Sequence, residues 1–303
     1  MNLLLTGAWA EAQAQIPALE ARGFRVRFLQ NERDPLPCPG DWVEGLVCNG
    51  LFLHHDLEEF PRLRWVQLTS AGLDRVPLDR LRARGVALRS ARGVYSVPMA
   101  EFALAGVLAL YKQLPFFLDR QRAGGWEKRR DLRELRGRRV SVLGCGSVGT
   151  ECAKRFAAMG CAVTGVDLLP RQDAAYAAIL PLEALETQLP RTNILILTLP
   201  LSPETRHLVD GRRLSLLPGD AVLVNISRGA VADEAALTAA LAQARLSGAV
   251  LDVFETEPLP QDSPLRAMDN VILSPHNSFV GEGNQARLTA LIMENLSAAE
   301  AAP

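Results

Sequence analysis

Short apolar runs recur along the chain, with longer polar-faced segments between them. Leu3–Thr6, Arg25–Leu29, Gly45–Cys48, Trp65–Leu68 and Val86–Leu88 read as strands, and Trp9–Arg22 and Arg75–Arg84 read as helices. Strands that alternate with helices predict parallel pairing through crossover connections. Asp34–Gly40 carries Pro35, Pro37 and Pro39 and reads as a loop. The texture then changes. From Pro98 to about Gln121 the apolar spacing predicts one long helix, with Pro98 in its first turn, a kink at Pro115 and an end at Gly124-Gly125.

A second alternating series follows. Its strands are Val140–Leu143, Ala162–Val166, Ile194–Leu197, Ala221–Asn225, Gly248–Leu251 and Val271–Leu273. Its helices are Val148–Met159, Leu182–Gln188, Gly211–Leu216 and Glu234–Ala244, with an amphipathic tail at Asn284–Ala299. Six strands is the number that a doubly wound dinucleotide domain uses. The fold class expected is therefore α/β, with two Rossmann-like doubly wound parallel-sheet domains and a cleft between them. Residues 1–95 with the C-terminal helix 284–303 would form a substrate domain, and 96–283 a cofactor domain.

Composition changes this picture little. The chain of 303 residues balances 33 Lys and Arg against 34 Asp and Glu, so it has no basic excess of the kind that polyanion binding needs. The basic stretch Lys128–Arg139 contains compensating Asp131 and Glu134 and reads as a solvated connection. Cys38, Cys48, Cys145, Cys152 and Cys161 form no CxxC pair and no zinc spacing, so free thiols in a reducing compartment are expected. The opening Met-Asn-Leu-Leu-Leu lacks a basic leader, and no window approaches a spanning helix. The expected setting is cytoplasmic, with no membrane, nucleic acid or metal involved.

The candidate chemistry starts at Gly144-Cys-Gly146-Ser147-Val148-Gly149, between a strand and a helix. Gly144 permits a tight turn, Gly146 lets the backbone approach a pyrophosphate, and Gly149 lets the helix sit close to the sheet. The helix start presents orphan N–H groups and a positive dipole end to phosphates. Asp167, 18 residues beyond Gly149 at the end of the next strand, is placed to accept from the adenosine ribose hydroxyls. A carboxylate there repels a 2′-phosphate, so NAD is expected over NADP. Arg171 keeps the alternative open.

From about Trp126 to Asn284 the sequence resembles the D-2-hydroxyacid dehydrogenases, the group that includes phosphoglycerate and hydroxypyruvate dehydrogenases. The resemblance rests on the stretches 139–149, 199–205 (Leu-Pro-Leu-Ser-Pro-Glu-Thr), 224–230 (Val-Asn-Ile-Ser-Arg-Gly-Ala), 251–258 (Leu-Asp-Val-Phe-Glu-Thr-Glu-Pro) and 274–277 (Ser-Pro-His-Asn). It implies a catalytic trio of Arg228, Glu257 and His276. It also implies that Ser147 and Val148 sit at the pyrophosphate, Leu199 and Pro200 at the adenine side, Thr205 near the phosphates, and Ile226 and Asp252 at the nicotinamide. Weaker matches at Thr69–Asp74 and Ser96–Glu101 imply that backbone N–H groups of Ala71 and Gly72 hold the substrate carboxylate, with Asn49 and Gly50 close by. The family usually dimerises through the helix and arm after Pro98, so a homodimer is expected.

The residue types suit the reaction independently. Reducing a 2-keto acid needs a cation for the carboxylate, and arginine offers a planar fork that matches it. It needs an acid for the developing alkoxide, and histidine serves near neutral pH, with a carboxylate beside it to favour the imidazolium. Two departures from the family bear on specificity: Asn277-Ser278-Phe279 follows the histidine where small residues are common, and Leu51–His55 is unlike the commoner substrate loops. His54 and His55 read as loop polar residues, and Cys145 as a small residue in a tight turn. Alternatives at this point are a dinucleotide-sensing protein resembling the C-terminal-binding corepressors, and a dehydrogenase of another small anion such as formate or phosphite.

Overall fold

The computed structural model describes residues 1–301, so Ala302 and Pro303, the end of the expected 284–303 segment, lie outside the described residues. The chain forms two compact units, Met1–Tyr95 with the chain from Gly281 onward, and Ser96–Val280.

In the first unit, β1 (Asn2–Thr6), β2 (Arg25–Leu29), β3 (Gly45–Cys48), β4 (Trp65–Leu68) and β5 (Ala87–Arg89) form one sheet in the order β2-β1-β3-β4-β5. Every pairing is parallel. The helices α1 (Ala12–Ala21) and α2 (Leu78–Ala83) lie between strands. β1, β3 and β4 are buried along their whole length, which is why they read as unbroken apolar runs. The C-terminal helix, Asn284–Ala301, joins this unit. Leu288, Ile292 and Leu296 recur every fourth residue and pack with Leu3, Leu5 and Trp9. Burying three such side chains stabilises the unit by roughly 1.5–3 kcal/mol each. Trp9 donates its indole N–H to Thr289 Oγ1 at 2.9 Å, and Asn295 donates to the buried Gln67 at 2.7 Å.

The second unit opens with α3 (Ser96–Tyr111) and α4 (Leu114–Arg122). There follow β6 (Arg139–Leu143), α5 (Ser147–Ala158), β7 (Ala162–Asp167), β8 (Ala178–Pro181), α6 (Leu185–Gln188), β9 (Ile194–Leu197), α7 (Gly211–Leu214), β10 (Val222–Asn225), α8 (Glu234–Ala242), β11 (Gly248–Leu251) and β12 (Val271–Leu273). All strands are parallel, in the order β12-β11-β10-β9-β6-β7-β8. The strand order reverses between β6 and β9, so the crevice at their carboxyl ends is where such a sheet receives a ligand.

Two sequence expectations are corrected here. The sheet has seven strands, because β8 adds an edge beyond β7. The expected single helix from Pro98 is two helices, bent by 67°. The break falls at Gln113, whose φ of +50° is left-handed, and Pro115 lies in the first turn of α4, where its missing N–H costs nothing. α3 belongs to the core. A Cβ at Gly106 would come within 2.5 Å of the Val250 side chain, so glycine lets α3 press onto β11. Among the described residues no single helix is long and apolar enough to cross a membrane. The 128–138 connection is largely exposed, with Arg129 bound to Asp131 and Arg133 stacked 4.1 Å over the Tyr111 ring.

Candidate active site

The glycine turn is shaped by close approach. Gly144 has φ +92°, and a Cβ on it would lie 2.9 Å from the Leu199 nitrogen. A Cβ on Gly149 would lie 2.1 Å from the Gly144 carbonyl oxygen. These contacts seat the start of α5 against the end of β6 and bring the segment after β9 alongside. Gly146 is the N-cap of α5 and supplies no side-chain cap. The amides of Ser147 and Val148 therefore open a 12-residue helix without intrahelical acceptors.

Asp167 ends β7. Its Oδ2 accepts from the Cys145 N–H at 2.6 Å and its Oδ1 from the Leu169 N–H at 3.1 Å, while Arg171 donates to the Cys145 carbonyl oxygen. A carboxylate has about four acceptor positions, so two remain for hydroxyl donors. A side-chain-free cradle, orphan amides and a carboxylate one strand away fit a dinucleotide. Burial pushes the Cys145 thiol up to about 11, so it stays protonated beneath the turn.

Leu199 is nearly buried and Pro200 is exposed. The Thr205 hydroxyl, expected near phosphates, donates to the Pro200 carbonyl oxygen at 2.8 Å and accepts from the Ser202 N–H at 2.7 Å. It closes its own turn. Ile226, expected at the nicotinamide, is 1% exposed and packs in the core cluster with Val224 and Val250.

Arg228 follows β10. Asn225 shapes its turn, accepting from the Ser227 N–H and hydroxyl and donating to the Arg228 carbonyl oxygen at 3.1 Å. Arg228 is half-buried and donates to the Ser227 carbonyl oxygen at 2.8 Å. Gly229 then passes so close to the next loop that a Cβ would fall 1.9 Å from the Phe254 carbonyl carbon. The Phe254 N–H donates to Glu257 Oε1 at 3.0 Å, and Glu257 Oε2 meets His276 Nδ1 at 2.8 Å. One chain of contacts thus runs from the arginine turn through the loop after β11 to the histidine after β12.

His276 has φ +52°, a left-handed conformation that costs a non-glycine residue about 1 kcal/mol or more. Asp252 holds it there. The Asp252 carbonyl oxygen accepts from the His276 N–H at 2.8 Å. Its carboxylate, 1% exposed, accepts from the Asn277 N–H at 2.7 Å and from the Ser278 N–H and hydroxyl. The group expected at the carboxamide is thus turned onto the histidine loop. With Glu257 on Nδ1, the Nε2 edge is the one left to face a reactant, and the imidazole is 41% exposed. Phe279 lies edge-on to the imidazole at 6.4 Å.

The first unit presents two loops at the carboxyl edge of its sheet. After β4, the amides of Ala71 and Gly72 have no acceptor among the described residues. After β3, the amides of Asn49 and Gly50 both donate to the Glu32 carboxylate, at 2.7 Å each. His55 bonds to the Asp34 carbonyl oxygen, and His54 is exposed. Among the described residues no cluster of His, Cys, Asp and Glu could hold a metal ion.

Four contributors carried no clear sequence signal. Asn225 had a weak one, an Asx turn ahead of a serine at a strand end. Phe254, Ser278 and Glu32 act through partners that only the fold brings near.

Residues 104–278 match the profile of the D-isomer specific 2-hydroxyacid dehydrogenase NAD binding domain, more than half of the chain. The chain belongs to that family. It is 34% identical over 264 residues to a glyoxylate/hydroxypyruvate reductase B of Pectobacterium carotovorum, covering 85% of this chain and 82% of the relative. It is 34% identical over 242 residues to an (S)-sulfolactate dehydrogenase of Chromohalobacter salexigens, covering 79% and 78%. The solved structure of a D-isomer specific 2-hydroxyacid dehydrogenase from Xanthobacter autotrophicus, in complex with NADPH and MES, is 32% identical and matches 99% of this chain and 95% of its own with a TM-score of 0.80. This chain is an oxidoreductase of small 2-hydroxy and 2-keto acids that works with a nicotinamide dinucleotide.

Proposed function

We propose that the protein reduces a small 2-keto acid to its D-2-hydroxy acid, with His276 as proton donor, Glu257 as its orienting carboxylate and Arg228 as the cation for the substrate carboxylate. The observation that carries this reading is the 2.8 Å contact between His276 Nδ1 and Glu257 Oε2. Glu257 fixes the plane of the imidazole through Nδ1, so that a proton on Nε2 points at the developing alkoxide. Arg228 and the amides of Ala71 and Gly72 orient the acid. Asp252 holds His276 through its backbone and the 277–278 loop. Gly144, Gly146, Ser147, Val148 and Gly149 hold the pyrophosphate, with Leu199 and Pro200 along the adenine side. The bound nicotinamide supplies the hydride.

NAD is the preferred cofactor in this reading, because a carboxylate at the end of β7, Asp167, would repel the 2′-phosphate of NADP. Arg171 is drawn to the Cys145 carbonyl oxygen rather than extended as a phosphate partner. The chain works as a homodimer in the cytoplasm. Leu114, Leu118 and Trp126 of the α4 arm are 47%, 49% and 97% exposed, an apolar strip that a second copy would cover.

The test follows NADH oxidation by absorbance with glyoxylate, pyruvate, hydroxypyruvate and branched 2-keto acids, with NADPH in parallel. Turnover of one of them is expected, falling in His276→Ala by about 10²-fold or more. Arg228→Ala lowers kcat/KM severely and leaves NADH affinity nearly intact. Full activity in either variant refutes the assignment.

A further inference from the structure

The first unit carries two pairs of backbone amides suited to an anion, and they differ in state. In a parallel sheet ordered β2-β1-β3-β4-β5 the strand order reverses between β1 and β3. Ligands bind at the carboxyl ends of the strands at such a point. There the structure places Thr6, at the end of β1, and Asn49-Gly50, just beyond β3. All three donate to one side chain. Glu32 Oε1 accepts from the Thr6 hydroxyl and the Asn49 N–H at 2.7 Å each, and Glu32 Oε2 accepts from the Gly50 N–H at 2.7 Å. Glu32 is half-buried, and its partners among the described residues are the Thr6 hydroxyl and these two amides, with no ion pair to Arg, Lys or His. The neighbouring Asn49 side-chain oxygen is buried with no donor, so the loop has a surplus of acceptors. The amides of Ala71 and Gly72, one strand further on, stay open.

We propose that Glu32 is a specificity residue: its carboxylate occupies the second anion position, so the enzyme takes 2-keto acids that carry a single negative charge and rejects those with a second anionic group at the far end. This rests on the reading above that Ala71 and Gly72 receive the reacting carboxylate. The physical cause is twofold. The amides that would hold a second anion are already paired, and an uncompensated negative charge beside them repels one. Building in a like charge is an efficient way to discriminate against an unwanted partner. A neutral or hydrogen-bond-donating end, as in pyruvate or hydroxypyruvate, meets no such penalty.

The experiment compares kcat/KM for pyruvate and hydroxypyruvate with kcat/KM for 3-sulfopyruvate and 3-phosphohydroxypyruvate, at low and high salt, in the wild-type protein and in Glu32→Gln. Monoanions are expected to win by on the order of a hundredfold in the wild type. Raising the salt should narrow that gap, because screening weakens the repulsion. Glu32→Gln should narrow it about tenfold, with thermal midpoints reported alongside to confirm a folded variant. The salt series needs no variant and stands if Glu32→Gln does not fold. Equal use of 3-sulfopyruvate and 3-phosphohydroxypyruvate by the wild type, or a ratio that neither salt nor the variant moves, overturns the role of Glu32. No turnover of any 2-keto acid by the wild type overturns the reductase reading itself.

Discussion

Gly229→Ala tests whether the arginine turn and the histidine loop act as one unit. The added methyl would lie 1.9 Å from the Phe254 carbonyl carbon, 2.1 Å from its oxygen and 2.4 Å from the Glu255 nitrogen. Ordinary contact begins at 3.4 Å, so the two segments must separate by about 1.5 Å. All three atoms are backbone, and no rotamer change relieves the clash. The Phe254 N–H is the donor that fixes Glu257 Oε1, so the displacement passes to Glu257 and from there to His276. A misplacement of about 1 Å is worth on the order of 10²-fold in rate. Overpacking of this kind costs about 1–3 kcal/mol of stability, which a protein of this size can bear while folded. The expected result is a kcat about a hundredfold lower, a modestly lower thermal midpoint, and NADH affinity by fluorescence titration within about twofold of wild type, since the glycine turn lies on another loop. Wild-type kcat in a variant shown to be folded would refute the coupling.

Asp252→Asn replaces two acceptor oxygens facing N–H and O–H donors with an oxygen and an NH2 group. It should lower the thermal midpoint and kcat together, each readable in one melting and one steady-state experiment, and an unchanged kcat would remove Asp252 from the positioning of His276. Glu44 is held below the usual carboxylate range, first by the Asn2 N–H and then by Arg62. A depressed folded value means that its stabilisation is present above the unfolded value of 4.5 and fades as pH falls through the folded one. Glu44→Gln should therefore cost about 1 kcal/mol in chemical denaturation at pH 7 and nothing in strong acid. Cys145 and Cys152 are buried, with thiols raised to about 11 and about 12. Iodoacetamide at pH 8, followed by mass spectrometry, should modify the half-buried Cys38 first and leave those two intact until the protein unfolds.

Central strands were legible because burial on both faces demands unbroken apolar runs, as in Ile194–Leu197 and Val222–Asn225. β8 was not. It is a four-residue edge with one buried residue, and its pattern is too short to separate from a loop. The bend at Gln113 was hidden because the apolar spacing runs through it, and Pro115 suits a kink as well as a new helix start. In the site, the order of motifs singled out His276 and Glu257, and the structure puts them in contact. Periodicity does not reveal that Asp252 faces the 277–278 backbone or that Glu32 reaches amides 17 and 18 residues away. Such partnerships are products of the crossovers and leave no local trace.

The anchoring of His276 to Asp252 bears on how such an enzyme tolerates change. Between β11 and β12 the chain runs through Pro260–Asn270, much of it exposed. The histidine takes its position not from that excursion but from the strand before it, through the pairing of Ala249 with Val271 and the bonds of Asp252 to residues 276–278. The exposed tip of the excursion at Gln261-Asp262 takes no part in those bonds. Residues inserted near Gln261-Asp262 would lengthen a surface arc while its two ends stay pinned, which makes that arc a natural place to graft a tag or a reporter without displacing His276.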